Sequence, residues 1–293
     1  MKLHLRALFY DVDRRLRNGW WMLVFIGCIA LTRLAYKPLT HGLTGLGLPD
    51  LWLEPVPFLL ILLASWACTR LRGEPLSSVG YRLGRRWFKE FTWGTALGLG
   101  TALAVVGMIG VFGGVRFNLD PARSAGALGT GLYVFLLAAL MEETLFRGFL
   151  FRRLLDGVGV WPAQIALATL FALGHQDNPG MQGATEIVAT LDLFLGAVLL
   201  GLAYLRTRSL ALPVGLHLGW NWSLGSFLGF GVSGYEQAGW MKPVFQGKVE
   251  WLTGGAFGPE SSLWSPIVSL LMIGLLWRWK GSVVGTDPDR ETV

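Results

Sequence analysis

Residues 91–115 read FTWGTALGLGTALAVVGMIGVFGGV, with no Lys, Arg, Asp or Glu anywhere in the stretch. A helix needs roughly 20 mostly apolar residues to cross the hydrocarbon core of a bilayer. This stretch therefore predicts a membrane span. The same filter finds charge-free stretches at 18–32, 55–69, 124–141, 157–174, 193–205 and 209–235, and an eighth stretch at 260–277 whose one charge is Glu260 at its first position. The second begins near Leu51, before Glu54. The sixth is short unless Asp192 and Glu186 lie at its outer end. The expectation is an all-α polytopic membrane bundle of about eight transmembrane helices.

Composition agrees. Of 293 residues, 53% are apolar and 15% charged, against about 25% charged in an ordinary globular domain. So few charges cannot cover a soluble body of this size, which excludes a soluble enzyme, a disordered chain and a nucleic-acid binder. Cys28 and Cys68 both lie inside apolar runs and form no disulfide framework; they read as small packing residues.

The net charge of +6 reports orientation. With the N-terminus in the cytoplasm, 19 of the 25 basic residues fall in inner segments, clustered at 2–17, 70–89, 147–153, 206–208 and 278–290. The outer segments hold Arg33, Lys37, Arg116, Arg123, Lys242 and Lys248. This repeated asymmetry is the positive-inside rule, and it predicts cytoplasmic N- and C-termini. Leu5, Leu8, Phe9, Val12 and Leu16 stand at helical spacing among arginines, so residues 1–18 predict an amphipathic helix on the inner membrane face. Residues 19–280 form one transmembrane domain with a catalytic core over 125–230, and 281–293 a cytoplasmic tail. The Gly- and Trp-rich segment 232–259 is an interfacial loop that can cap a cavity. Gly94 and Gly98 have the small-xxx-small spacing of close helix packing.

Charges on apolar helices are costly and so mark candidate chemistry. The fourth span ends in Met141-Glu142-Glu143-Thr144-Leu145-Phe146-Arg147. Glu143 and Arg147, at i and i+4, share a face and can pair. Glu142 lies about 100° around the helix and is left without that partner, as suits a general base. The competing reading is a solvated helix end, with Arg152 and Arg153 just beyond. His4 and His41 carry no signal. His175 ends the run Phe171-Ala172-Leu173-Gly174-His175, and His217 and Asn221 are again i and i+4. With a turn at 156–160, Glu142 and His175 lie at matching depths, about 20 Å from it, so the two can meet. Glu142 with His175 can deprotonate a water, and His217 with Asn221 can donate to an oxyanion. No Ser or Cys has an evident acid–base partner. Two His and a Glu keep zinc open, although H-E-x-x-H is missing and no cofactor is required.

These residues carry a resemblance. Glu142-Glu143-x-x-x-Arg147, Phe171-x-x-x-His175 and His217-x-x-x-Asn221 occur complete and in order, and the sequence resembles the CAAX protease and bacteriocin-processing (CPBP or ABI) family of membrane proteins. That family includes the type II CAAX prenyl endopeptidases. The resemblance implies an intramembrane endopeptidase that hydrolyses a peptide bond of a membrane-associated protein or peptide with a glutamate-activated water. By carry-over, Glu142 is the base, His175 holds the water, His217 and Asn221 stabilise the oxyanion, and Glu143 and Arg147 support them. The family's proposed use of a metal keeps zinc possible. The implied partners are the lipid bilayer and a peptide or membrane-protein substrate, with no nucleic acid and no oligomeric state specified. The compact, Trp-rich chain with short loops looks like a bacterial cytoplasmic-membrane protein, less suited to a prenylated substrate. A non-catalytic immunity or scaffold protein and a proton-coupled small-solute transporter are the alternatives; no internal repeat typical of transporters is evident.

Overall fold

A computed structural model describes residues 8–11, 14–112, 114–247 and 250–281. Among the described residues, ten α-helices and one small two-stranded sheet follow in chain order: α1 (Asn18–Gly45), α2 (Pro55–Leu71), α3 (Arg85–Val111), β1 (Val115–Leu119), α4 (Ala125–Glu143), α5 (Leu150–Val158), α6 (Val160–Leu173), α7 (Gly183–Thr207), α8 (Ala211–Trp222), β2 (Met241–Phe245), the single turn α9 (Glu250–Thr253) and α10 (Trp264–Arg278). The chain is an all-α membrane bundle. Five helices, counting α4 and α5 as one kinked rod, are long and apolar enough to cross a bilayer, and α6 and α10 are apolar but shorter.

Each of the eight expected spans meets a helix, with shifted ends. The first runs on from 32 to Gly45, so Arg33 and Lys37 lie on the outer half of α1 rather than in a loop. Their long side chains can carry charge from a helix to the headgroup level, which a charge-free filter does not allow for. The sixth lengthens to Gly183–Thr207 and takes in Glu186 and Asp192. Asp192 lies inside the helix rather than at its outer end, and is buried. The seventh stops at Trp222 and a wide π-type turn, Ser223–Phe227. Half of the predicted amphipathic segment at the N-terminus, residues 1–7, 12 and 13, and the tail from 282 lie outside the described residues. Within that segment, Tyr10 and Leu16 pair as an antiparallel bridge and Arg14 has a φ of 58°, so Tyr10 and Leu16 do not lie on one continuous helix.

β1 and β2 pair antiparallel, Val115 opposite Phe245 through Leu119 opposite Met241. Both belong to segments expected on the outer side, so their pairing joins that end of the bundle. The other end is knit by basic side chains. Arg86 donates to the Thr207 carbonyl, and Arg206 to those of Leu276 and Trp277. Glu74, between α2 and α3, meets Arg72 at 3.0 Å, Arg152 at 3.4 Å and Arg153 at 3.7 Å. Burial would raise the Glu74 carboxyl. The Arg72 hydrogen bond and the charges of Arg153 and Arg152 outweigh it and hold the group below its ordinary value.

The tightest packing is α3 on α8. Gly94 and Gly98 face α8, while Gly215 and Gly219 face α3. A methyl group at Gly94 would strike the Leu212 carbonyl and one at Gly98 the Leu216 carbonyl. Methyls at Gly215 and Gly219 would strike those of Phe91 and Thr95. Small residues let two membrane helices meet backbone to backbone, and here two such spacings interlock within one chain.

Two outcomes are expected. Gly98→Ala lowers the melting temperature of the detergent-solubilised protein, with an overpacking cost of about 1–3 kcal/mol, and Gly98→Val lowers it further; Gly107→Ala, on the same helix with open space beside it, leaves it unchanged. The Glu74 pairs add stability above the ordinary carboxylate pKa that is lost as pH falls through the lower folded value. Melting curves should therefore show wild type exceeding Glu74→Gln at pH 7 and the two converging below about pH 4; a constant gap at all pH values contradicts this.

Candidate active site

The candidate residues sit where helices are interrupted. Glu142 and Glu143 close α4, and the chain then takes a wide π-type turn over Thr144–Phe149, with Gly148 in non-helical geometry (φ −78°, ψ −119°). Thr144 gives its hydroxyl proton to the Leu140 carbonyl, so it accepts from the Tyr81 hydroxyl at 2.5 Å. Hydroxyl back-bonding of this kind loosens a helix. α8 behaves alike. Ser223 donates back to the Gly219 carbonyl and the second wide turn begins two residues after Asn221.

Glu143 and Arg147 pair as their spacing predicts, Nη1 to Oε1 at 3.1 Å, and both side chains are almost fully shielded, 0% and 2% exposed. They are not a solvated helix end. Arg147 Nη2 donates to the Ala197 carbonyl at 3.0 Å. Its guanidinium lies over Phe171, 5.1 Å from the ring centroid, and Phe171 packs on the His175 ring at 4.5 Å. Phe171 thus links the arginine to His175 and gives the F-x-x-x-H pattern a physical reason.

His217 enters between the two glutamates. Its Nδ1 is 3.0 Å from Glu143 Oε1 and its Nε2 3.9 Å from Glu142 Oε2. A carboxylate that accepts from Arg147 has no proton to give, so Nδ1 carries the hydrogen and donates. His175 Nδ1 lies 2.7 Å from the Phe171 carbonyl. A carbonyl only accepts, so this nitrogen is also protonated and Nε2 is the free one. Glu142 Oε2 is buried and has no hydrogen-bond partner among the described residues.

Glu142, His175, His217 and Asn221 all line one cavity of about 750 Å³. The expected meeting of Glu142 with His175 is thus a shared cavity wall, and the near partner of Glu142 is His217. Glu143 and Arg147 do not line it. Two further carboxylates do. Asp192 accepts from Ser265 at 2.8 Å and Ser269 at 3.1 Å. Glu260 accepts from Trp220 Nε1 at 3.2 Å and from both the backbone NH and the hydroxyl of Ser233. Sequence reasoning missed both as site residues. Asp192 carried the same signal as Glu142, an acid inside an apolar run, but charge-free windows pushed it to a span end. Glu260 fell at the first position of the eighth predicted stretch, 260–277, where it read as a span boundary and no spacing marks it.

Among the described residues no three His, Cys, Asp or Glu side chains are arranged to hold an ion. Nδ1 of His217 is committed to Glu143 and Nδ1 of His175 to a carbonyl, which leaves Nε2 as the available nitrogen of each ring.

The comparisons with known proteins fall on this region. Residues 124–223 match the family described as Type II CAAX prenyl endopeptidase Rce1-like. The resemblance holds. It spans about a third of the chain, from the start of α4 through α8, and contains all three motifs. No curated protein and no solved structure matches the chain. At the family level the match supports a CAAX-type protease, in keeping with an integral membrane protein.

The buried pair gives a stability prediction. Arg147→Met leaves the Glu143 charge without its cation, which costs about 3–5 kcal/mol; Glu143→Gln/Arg147→Met recovers part of it. Thermal unfolding in detergent reads both, and equal losses in the single and double variants contradict the pairing.

Proposed function

We propose that the chain is an intramembrane endopeptidase of a bacterial cytoplasmic membrane that hydrolyses its substrate with a glutamate-activated water. The observation that carries this reading is His217 lodged between Glu143 and Glu142, on a cavity that also exposes His175 and Asn221. Glu143 is spent on Arg147 and His217. Both glutamates keep one oxygen without a hydrogen bond, but Glu142 lines the cavity and Glu143 does not, so only Glu142 is placed to take a proton from a water held there.

The chemistry balances without a cofactor. A water held by Glu142 and His175 gives a proton to the Glu142 carboxylate as its oxygen attacks the scissile carbonyl carbon. The carbonyl π pair moves onto oxygen, and that oxyanion accepts hydrogen bonds from Asn221 and from His217 Nε2–H. Since Nδ1 already donates to Glu143, a donating Nε2 requires the imidazolium form, which the two flanking carboxylates suit. Collapse of the tetrahedral intermediate breaks the C–N bond, and Glu142 returns its proton to the leaving amine. Positioned proton transfer is worth on the order of 10²–10⁴ in rate, and one oxyanion donor about 10²–10³.

Cells producing wild-type or Glu142→Gln protein are compared by terminal-peptide proteomics of their membranes. Cleaved termini present with wild type and missing with Glu142→Gln are expected, at equal levels of folded protein. On a substrate so identified, purified Asn221→Ala should lose roughly 10²–10³ in kcat with a smaller change in KM. Full cleavage by Glu142→Gln sinks the assignment.

A further inference from the structure

The cavity is not central in the bundle. The basic contacts of one end, at Glu74, Arg86, Arg152, Arg153 and Arg206, contribute nothing to its lining. Its floor is at Glu142 and His217, the latter six residues into α8, or about 9 Å by helical rise. From there it runs toward the opposite end. Phe171 near the far terminus of α6, Gly174 and His175 just past it, and Asp192 in the first half of α7 line it, while Gly196, Leu199 and Leu200 from just past the middle of α7 line its inner part. Its far wall is the segment after α8, with Val232, Ser233, Tyr235 and Gln237, closed by Glu260. That segment is stitched down by Asn178, which donates to the Ser233 carbonyl at 2.9 Å, and by Glu260 on Ser233 and Trp220.

The rim has its own chemistry. Arg33 and Tyr36 of α1 and Tyr235 of the cap line the cavity and are exposed. α1 itself is peripheral, with 6% of its apolar window buried. A snorkelling Arg and amphipathic Tyr rings belong at a headgroup layer. That layer is the one farther from the basic end, because β2 directly follows the cap and pairs with β1, both in segments expected on the outer side.

The geometry points to an active cavity that opens on the extracytoplasmic side, because basic loops mark the cytoplasmic face and the cavity opens away from them. Its substrates are polypeptide segments presented in the outer leaflet or just beyond it, and cytoplasmic tails do not reach it. The substrate class rests on the endopeptidase reading; the side of the opening does not.

The test uses the full chain in spheroplasts of a bacterial host and a membrane-impermeant maleimide, with mass spectrometry locating the label so that Cys28 and Cys68 can stay. Gln237→Cys reports the cavity rim and Arg82→Cys the basic end. Labelling of Gln237→Cys in intact spheroplasts, and of Arg82→Cys only after permeabilisation, is expected. Any other pattern overturns the proposal, including labelling of both in intact cells. In the proteomic comparison, Glu142-dependent cleavage sites should fall in extracytoplasmic segments; sites in cytoplasmic segments overturn the substrate class. Absence of any Glu142-dependent site ends the peptidase reading, while the labelling still judges the opening.

Discussion

The site depends on how closely α3 approaches α8. Gly94 and Gly98 meet Gly215 and Gly219 with nothing but backbone between the helices. His217 and Asn221 lie on α8 within and just beyond that glycine pair. A helix carrying two polar side chains into an apolar interior has no hydrophobic reason to stay in register. Close backbone packing supplies the constraint through van der Waals contact. It fixes the height and rotation of α8, and hence where the imidazole meets the α4 carboxylates. The expectation that Gly94 and Gly98 serve packing is met within a single chain.

Charge arrangement follows from that placement. A buried carboxylate is tolerable only when paired, and Glu143 has two cationic or hydrogen-bonding neighbours on one oxygen, Arg147 and His217. Arg147 is in turn held by a carbonyl of α7 and two aromatic faces. The result is a rigid support behind the cavity wall, with Glu142 and the far nitrogen of His217 presented in front of it. Adjacent positions on a helix point to different sides, so one Glu-Glu dipeptide supplies both the support and the carboxylate that faces the cavity.

Much of this was legible in the sequence. The spans were visible because apolar runs are long, and Glu143–Arg147 because i,i+4 neighbours share a face. The clustering of three motifs followed from matching depths. What stayed hidden depended on long-range contacts. β1 and β2 are separated by more than a hundred residues, and although Val115–Leu119 alternates apolar and polar side chains, Met241–Phe245 does not, so no local pattern marked the two as partners. Asp192 and Arg33 were assigned to span ends because a single charge was treated as a boundary. Asp192 is accommodated by two serines of α10, and those partners are remote in sequence. Glu260 has no periodicity around it at all. Its role as a clasp exists only because the cap folds back onto Trp220.

The two wide turns have a consequence for how the chain can vary. A π-type turn holds one residue more than a regular helical turn, which advances the helix phase by about 100°. Past Thr144–Phe149, the face presented by α5 is therefore set independently of the face on which α4 carries its glutamates. Loss of one residue there would regularise the rod and swing Arg152 and Arg153 away from Glu74 while leaving Glu142 in place. The same holds for Ser223–Phe227 and the cap beyond it. The turns thus act as phase resets: the cavity-lining residues upstream and the anchoring residues downstream can change by insertion or deletion without being locked to one helical frame.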